Sequence, residues 1–200
     1  MGLSFAYTPS MIVEGVVTSI DSSGQLNVAP MGPIVHGDFE SLTLRPFQTS
    51  TTFQNLQQTR SGVFHVVDDV TLLAQTAVGQ LTDEPETRPA DIIDGRVLAD
   101  CCRWFEFRVT DCDVSDQRAA LQADIVATGE VRPFFGFNRA RHAVLEAAIL
   151  ATRVHRLDKQ MITDQLDVLK SAVDKTGGVA ESEAFAMLQN HVTASFEPSQ

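Results

Sequence analysis

The sequence predicts a mainly β fold with an α-helical end: an antiparallel barrel or sandwich over residues 1–135, then a subdomain of about three helices over residues 136–200. Three observations lead there. Short β-branched runs punctuated by Gly, Asp and Ser fill the chain from Met11 to Val131. Beyond Pro133 the apolar residues recur at steps of three and four. Between them there is no strand–helix–strand repetition of the kind that builds a parallel sheet.

The elements follow in order. Met11 to Ile20 reads as a strand closed by Asp21-Ser22-Ser23-Gly24. The next run, Gly24 to Val35, is broken by Ala29-Pro30-Met31-Gly32. A proline cannot donate to a ladder and a glycine weakens a strand interior, so the break marks an edge, a bulge or a place where a ligand approaches the backbone. Thr52 to Thr59 and Val70 to Val78 are helix-compatible crossings, the second capped by the Asp68-Asp69 pair. Val63 to Val67, Trp104 to Val109 and Leu121 to Thr128 are further strands, and the acidic, Pro-rich Leu81 to Pro89 is a surface loop. Asn138 caps a helix running toward Leu157. Asp158 caps a second, in which Ile162, Leu166, Leu169 and Val173 share a face up to the stop at Gly177, and Phe185, Leu188 and Val192 mark a third. The helical part is small for independent stability and is expected to pack on the β domain or on a second subunit.

Composition excludes several partners. With 44% apolar and 20% charged residues the chain can build a sizeable core, but its net charge of -11 disfavours nucleic acid and anionic membrane surfaces, which need clustered Lys and Arg. The longest uninterrupted apolar run, Ala147 to Ala151, is far short of the roughly 20 residues that span a bilayer. The N-terminus has no basic residue ahead of an apolar block, and the odd cysteine count (Cys101, Cys102, Cys112) reads as reduced thiols. Both point to the cytoplasm.

Few motifs carry chemistry. The glycine signatures of dinucleotide and triphosphate sites and the nucleophile elbow are missing from the chain. The run from Leu44 to Asn55 is more informative, because it sets four consecutive hydroxyls, Thr49-Ser50-Thr51-Thr52, between Arg45 and a helix start. Hydroxyls, free helix amides and one guanidinium together neutralise a phosphate without a broad basic field. The same residues also cap helices in plain polar loops, and that alternative stays open. His142 and Glu146 share a helix face but read as a surface pair, so no metal site is expected. His65 reads as a hydrogen-bonded core or rim residue, and the aspartates beside Cys112 oppose a reactive thiolate. Phe134-Phe135-Gly136-Phe137 is either a hydrophobic hinge or a wall for a planar ligand. Arg139 opposes the helix dipole unless it serves an anion or a partner subunit.

In order along the chain, Ile12-Val13-Glu14-Gly15-Val16-Val17-Thr18, Asn27-Val28-Ala29-Pro30-Met31-Gly32, Thr49 to Leu56, Phe137-Asn138-Arg139-Ala140 and Lys175-Thr176-Gly177-Gly178 resemble a largely archaeal family of FMN-binding split-barrel proteins. That family is related to the flavin reductase and pyridoxamine phosphate oxidase groups. The resemblance implies an antiparallel Greek-key split β-barrel with a helical C-terminal extension, and a homodimer with FMN at or near the subunit interface. It makes Asn27, Ala29, Pro30, Met31 and Gly32 ring-side candidates and Thr49, Ser50, Thr51, Thr52 and Asn55 phosphate-end candidates, with Arg45 or Arg139 supplying charge. The pattern departs at His65, near which the family resemblance calls for an asparagine. The expected activity is FMN-dependent oxidoreduction on a small molecule that the sequence does not specify, with the flavin doing the chemistry and no catalytic acid or base nominated. The alternatives are an FMN carrier or redox partner, and a structural split barrel.

Overall fold

The computed structural model describes residues 10–197, so the reading of the N-terminus as lacking a signal falls largely on residues outside that range. The chain divides into two compact units, one comprising the residues up to Val66 with Pro85–Pro133, the other Val67–Glu84 with the residues from Phe134 onward. In chain order the elements are β1 (Ser10–Ile12), β2 (Gly15–Ile20), β3 (Leu26–Met31), β4 (Ile34–His36), β5 (Ser41–Leu44), α1 (Thr51–Thr59), β6 (Ser61–Val66), α2 (Val70–Ala77), β7 (Thr87–Pro89), β8 (Arg96–Leu98), β9 (Arg103–Asp113), β10 (Ala120–Glu130), α3 (Arg139–Ala151), α4 (Lys159–Thr176) and α5 (Val179–Ser195).

In the first unit eight antiparallel strands follow the order β1-β4-β5-β10-β9-β6-β2-β3 and curl into the half-barrel of a split-barrel fold. Side chains alternate across a strand, so one face gathers Val17, Leu42, Phe64, Phe105, Phe107 and Leu121 into a single apolar cluster. The other face presents Thr18, His65 and Glu106 to the short hairpin β7–β8. Two irregularities in the β9–β10 ladder, at Gln122/Ala123 and Ile125/Ala127, bend the longest pair of strands.

The span Met11–Ile20 forms two strands, not one. β1 pairs with β4, whereas β2 pairs with β3 and β6, so the chain changes neighbours at Val13-Glu14, where the Val13 N–H donates to the Pro33 carbonyl. Gly15 permits the change, since a Cβ there would overlap the His65 carbonyl and stand 2.8 Å from the Phe64 ring. Strand β3 runs through Pro30 to Met31 without interruption. Among the described residues it is an edge strand, with β2 its one neighbour, so the missing proline N–H can face outward. The loop read over Leu81–Pro89 ends in β7, whose Pro89 sits at the edge of the two-stranded hairpin.

The second unit packs α2, α3, α4 and α5 around Val144, Ile162, Leu166, Phe185 and Leu188. Asp69 caps α2 by accepting from the Thr71 and Leu72 amides, and Asp158 caps α4 by accepting from Gln160 and Met161. Helix α3 ends at Ala151 instead of reaching Leu157. Residues 152–157 tighten into turns that reverse the chain toward the Asp158 cap, while Val154 and Leu157 still pack on the core. Gly177 closes α4 as expected, its N–H donating to the Val173 carbonyl at 2.8 Å.

Candidate functional site

The sequence-predicted residues that the fold brings together lie where β2, β3 and α1 meet. Ser19 is at the end of β2, Asn27 opposite it on β3, and Thr52 and Asn55 one helical turn apart on the buried side of α1. The Asn27 Nδ2 donates to Thr52 Oγ1 at 3.0 Å and to Ser19 Oγ at 3.3 Å, and the Asn55 Nδ2 donates to the same Ser19 oxygen at 3.2 Å. Ser19, Thr52 and Asn55 are buried and Asn27 is half-buried. Burying three polar side chains beside a half-buried fourth is unfavourable unless they hydrogen-bond, and these four bond to one another. Ala29, Pro30, Met31 and Gly32 continue β3 past Asn27, all half-buried, and a Cβ at Gly32 would stand 2.7 Å from both carboxylate oxygens of Glu14.

The hydroxyl run divides its work. Ser50 is the N-cap of α1: its Oγ accepts from the Phe53 amide at 3.2 Å and donates to the Phe47 carbonyl at 2.7 Å. Thr49 and Thr51 are exposed at the same turn, which contains no acidic residue, so the positive end of the helix is not neutralised from within. The preceding segment is laced to the β9–β10 connection. Gln48 donates to the Val114 and Asp116 carbonyls, and the backbone pairs at Phe47 and Arg118. Arg118, which the sequence did not single out, stacks its guanidinium 4.2 Å from the Phe47 ring and donates to the Arg45 carbonyl at 3.4 Å. Arg45 itself is exposed.

On the opposite face of the sheet, His65 is fully buried. Its Nε2 accepts from the Leu98 amide at 3.1 Å, which places the ring proton on Nδ1, where it is donated to the Val16 carbonyl at 3.2 Å. Burial holds the imidazole down to a pKa of about 4, against the opposing pull of the Val16 carbonyl, and Arg88 depresses it further. Glu106, also fully buried, accepts from the Asp91, Ile92 and Ile93 amides at 2.6, 2.8 and 3.1 Å. With the Thr18 hydroxyl donating to the Arg96 carbonyl, these side chains clasp the β7–β8 hairpin over Trp104, on which Arg88 stacks at 4.9 Å. The reading of His65 as a hydrogen-bonded core residue matches this geometry.

Cys101 and Cys102 are buried, and burial pushes the Cys101 thiol up to about 11, so it is a poor nucleophile. In the helical unit Arg139 is the exposed first residue of α3. Its neighbour Arg141 makes the contacts: Nε donates to Glu181 at 3.0 Å, Nη1 lies 3.4 Å from Asp68, and the guanidinium lies 4.0 Å from the Phe135 ring centroid. Phe137 is 93% exposed and meets His142 edge-on at 5.9 Å. Ser19, Arg118, Glu106 and Arg141 were not singled out by the sequence reading. A polar pair, Thr18-Ser19, near the end of an apolar strand was the one local sign of Ser19.

Comparison with solved structures finds an FMN-bound protein of Methanosarcina mazei, 24% identical, covering 95% of this chain and 100% of that one with a TM-score of 0.78. A 2-nitrobenzoate 2-nitroreductase of Pseudomonas fluorescens aligns over 64% of this chain and 66% of its own (20% identity, TM-score 0.50). An FMN-binding protein of Thermus thermophilus, solved with 1-cyclohex-2-enone, aligns over 66% and 76% (11% identity, TM-score 0.50). At these identities the likeness establishes the split-barrel fold. Comparison with curated protein sequences finds no match. Residues 13–132 match the N-terminal domain of a protein family of unknown function, DUF447, and residues 138–190 match that family's second domain, so the chain belongs to the DUF447 family.

Proposed function

We propose that this chain binds FMN and uses it as an oxidoreductase acting on a small molecule. The observation that carries the reading is the buried Ser19–Asn27–Thr52–Asn55 network at the start of α1, beside the open edge strand β3. It supplies what a phosphorylated, planar cofactor needs: helix amides free of acidic competition, hydroxyls in the first turn, and a half-buried strand against which a ring can lie. The FMN carried by the Methanosarcina relative, which aligns over nearly the whole chain, supports the same choice of cofactor.

In this reading Thr49, Thr51, Thr52 and Asn55 hold the phosphate end, Ser50 shapes the turn by capping it, and Arg45 or Arg139 supplies charge. Asn27, Ala29, Pro30, Met31 and Gly32 form the ring side. Bound FMN would supply hydride and single-electron transfer. The protein's part is to orient the ring and keep water from it. In this reading residues 1–135 carry the flavin and residues 136–200 form the helical subdomain, with Val67–Glu84 of the first span packing in the helical unit, and the protein works as a cytoplasmic homodimer with the cofactor at or near the subunit interface. In the helical unit, exposed Phe134, Phe135 and Phe137 are apolar surface suited to such an interface. A second reading, a carrier or redox partner without turnover, is favoured by one observation. Ser19, Asn27, Thr52 and Asn55, the side chains that the fold brings together at the site, include no carboxylic acid or imidazole to pass a proton to a substrate.

The test is titration of the purified protein with FMN and with riboflavin, followed by flavin fluorescence, and then anaerobic addition of NADH or NADPH. Quenching with a preference for FMN supports the cofactor assignment, and bleaching of the flavin at a catalytic rate supports the oxidoreductase. No quenching by either flavin refutes both, and binding without bleaching by either donor leaves the carrier.

A further inference from the structure

The β7–β8 hairpin is attached to the barrel in a way that lets it leave alone. Among the described residues no backbone bond joins β7 or β8 to the eight-stranded sheet; the pair forms a sheet of its own, closed by the Ala90 amide on the Gly95 carbonyl and the Ala99 amide on the Glu86 carbonyl. The hydrogen bonds that tie the hairpin to the sheet all run through side chains of the sheet: Thr18 on β2, His65 on β6, and Glu106 and Arg108 on β9. The apolar side chains it buries, Ile93, Val97 and Leu98, belong to neither of the two apolar clusters described above. Lifting the hairpin costs their burial and these bonds, but it breaks no ladder of the barrel and opens no part of its core. A segment bounded in this way opens as its own unit, more often than the strands beneath it.

His65 is the attachment that a proton breaks. A backbone amide only donates and a backbone carbonyl only accepts, so Leu98 and Val16 leave the ring one arrangement, with its proton on Nδ1 and the lone pair of Nε2 aimed at the Leu98 N–H. A second ring proton would set N–H against N–H and drive β8 away. The surrounding elements bring little to offset this. β2 has no ionisable side chain, β9 brings Glu106, already committed to three amides, and β7 and β8 bring Arg88 and Arg96, of which Arg88 disfavours a charged imidazole. Beyond β8, Asp100 is exposed and paired with Arg132, and burial keeps the Cys101 thiol uncharged. We infer that the β7–β8 hairpin is an acid-released strap, which lifts from its face of the sheet when His65 takes up a proton while the barrel stays folded. The alternative is a hairpin that opens only when the whole barrel unfolds.

The test is hydrogen exchange of the intact protein between about pH 7.5 and about pH 5, corrected for intrinsic exchange, with and without low concentrations of urea. It compares the amides of Asp91, Ile92, Ile93 and Leu98 with those of Phe105 and Phe107 in β9. Expected are hairpin amides that exchange faster than the β9 amides at every pH and respond little to urea, because a local opening exposes little surface. With the imidazole at about 4 under the closed strap and near the ordinary 6.5 once it lifts, the opening equilibrium of the hairpin should rise about thirtyfold across that range. In His65→Gln, whose amide can accept from Leu98 and donate to Val16 without titrating, the rise should shrink to within about threefold. His65→Asn serves if that variant does not fold, and the comparison of hairpin with β9 needs no variant. Equal protection of the two sets of amides, an equal response to urea, or a pH dependence that survives in the variant overturns the inference.

Discussion

His65 sits between a backbone donor and a backbone acceptor in a fold that leaves no room for a second ring proton. Its pKa in the folded chain, about 4, lies below the ordinary 6.5, so between those values the unfolded chain binds the proton and the folded one does not. The contribution to stability is therefore complete above pH 6.5 and is lost as pH falls toward 4, up to about 3 kcal/mol in all. Denaturation midpoints across this window, followed by the fluorescence of the one tryptophan, Trp104 beneath the hairpin, should fall with acid. In His65→Gln the slope should flatten; an unchanged slope would locate the effect elsewhere. Glu106 makes a different prediction. Glu106→Gln turns an acceptor for three backbone amides into a group carrying its own N–H, at a cost of about 2–4 kcal/mol by chemical denaturation. The sequence marked His65 as a hydrogen-bonded residue but not its partners, and it carried no sign of Glu106, because both depend on a hairpin whose amides lie 13 to 33 residues away.

Helix caps are more transparent. Ser50, Asp69, Asn138 and Asp158 announce α1, α2, α3 and α4 in the sequence because capping needs only a short oxygen-bearing side chain and the two or three residues that follow it. Asn138 has a second duty: it accepts from the Arg141 amide and donates through Nδ2 to the Thr176 carbonyl at the end of α4, each at 3.1 Å. Asn138→Ala should cost about 2 kcal/mol, and Asn138→Asp, which keeps the cap and forfeits the donated bond, about half of that. Equal losses in thermal or urea unfolding would show the second bond to be idle. The strands were harder to delimit. β1 and β2 read as one run because their residues are alike; the switch of neighbours at Val13-Glu14 and the close approach at Gly15 belong to pairing across the sheet. Pro30, read as a break, is accommodated because β3 is an edge strand among the described residues, which composition cannot tell.

For the molecule as a whole, the net charge of -11 opposes the approach of any anion. If FMN binds through a few local donors, raising the ionic strength should leave its association rate unchanged or increase it, while the rate for neutral riboflavin stays flat. A rate for FMN that falls steeply with salt, in stopped-flow fluorescence, would indicate a basic steering field that this composition does not provide. The candidate site was legible in part for a related reason: in so acidic a chain, a hydroxyl run beside an arginine stands out. Ser19 and Arg118 stayed hidden because they join that run through pairing, one through the β2–β3 ladder and the other through the bridge from Phe47.

The thiols supply a clock for opening of the sheet. Cys112 is half-buried near the far end of β9, whereas Cys101 and Cys102 are enclosed where the chain enters that strand. One fast and two slow labelling events should therefore be counted in a single mass-spectrometric time course, and the slow pair reports how often the barrel wall breathes in the native protein.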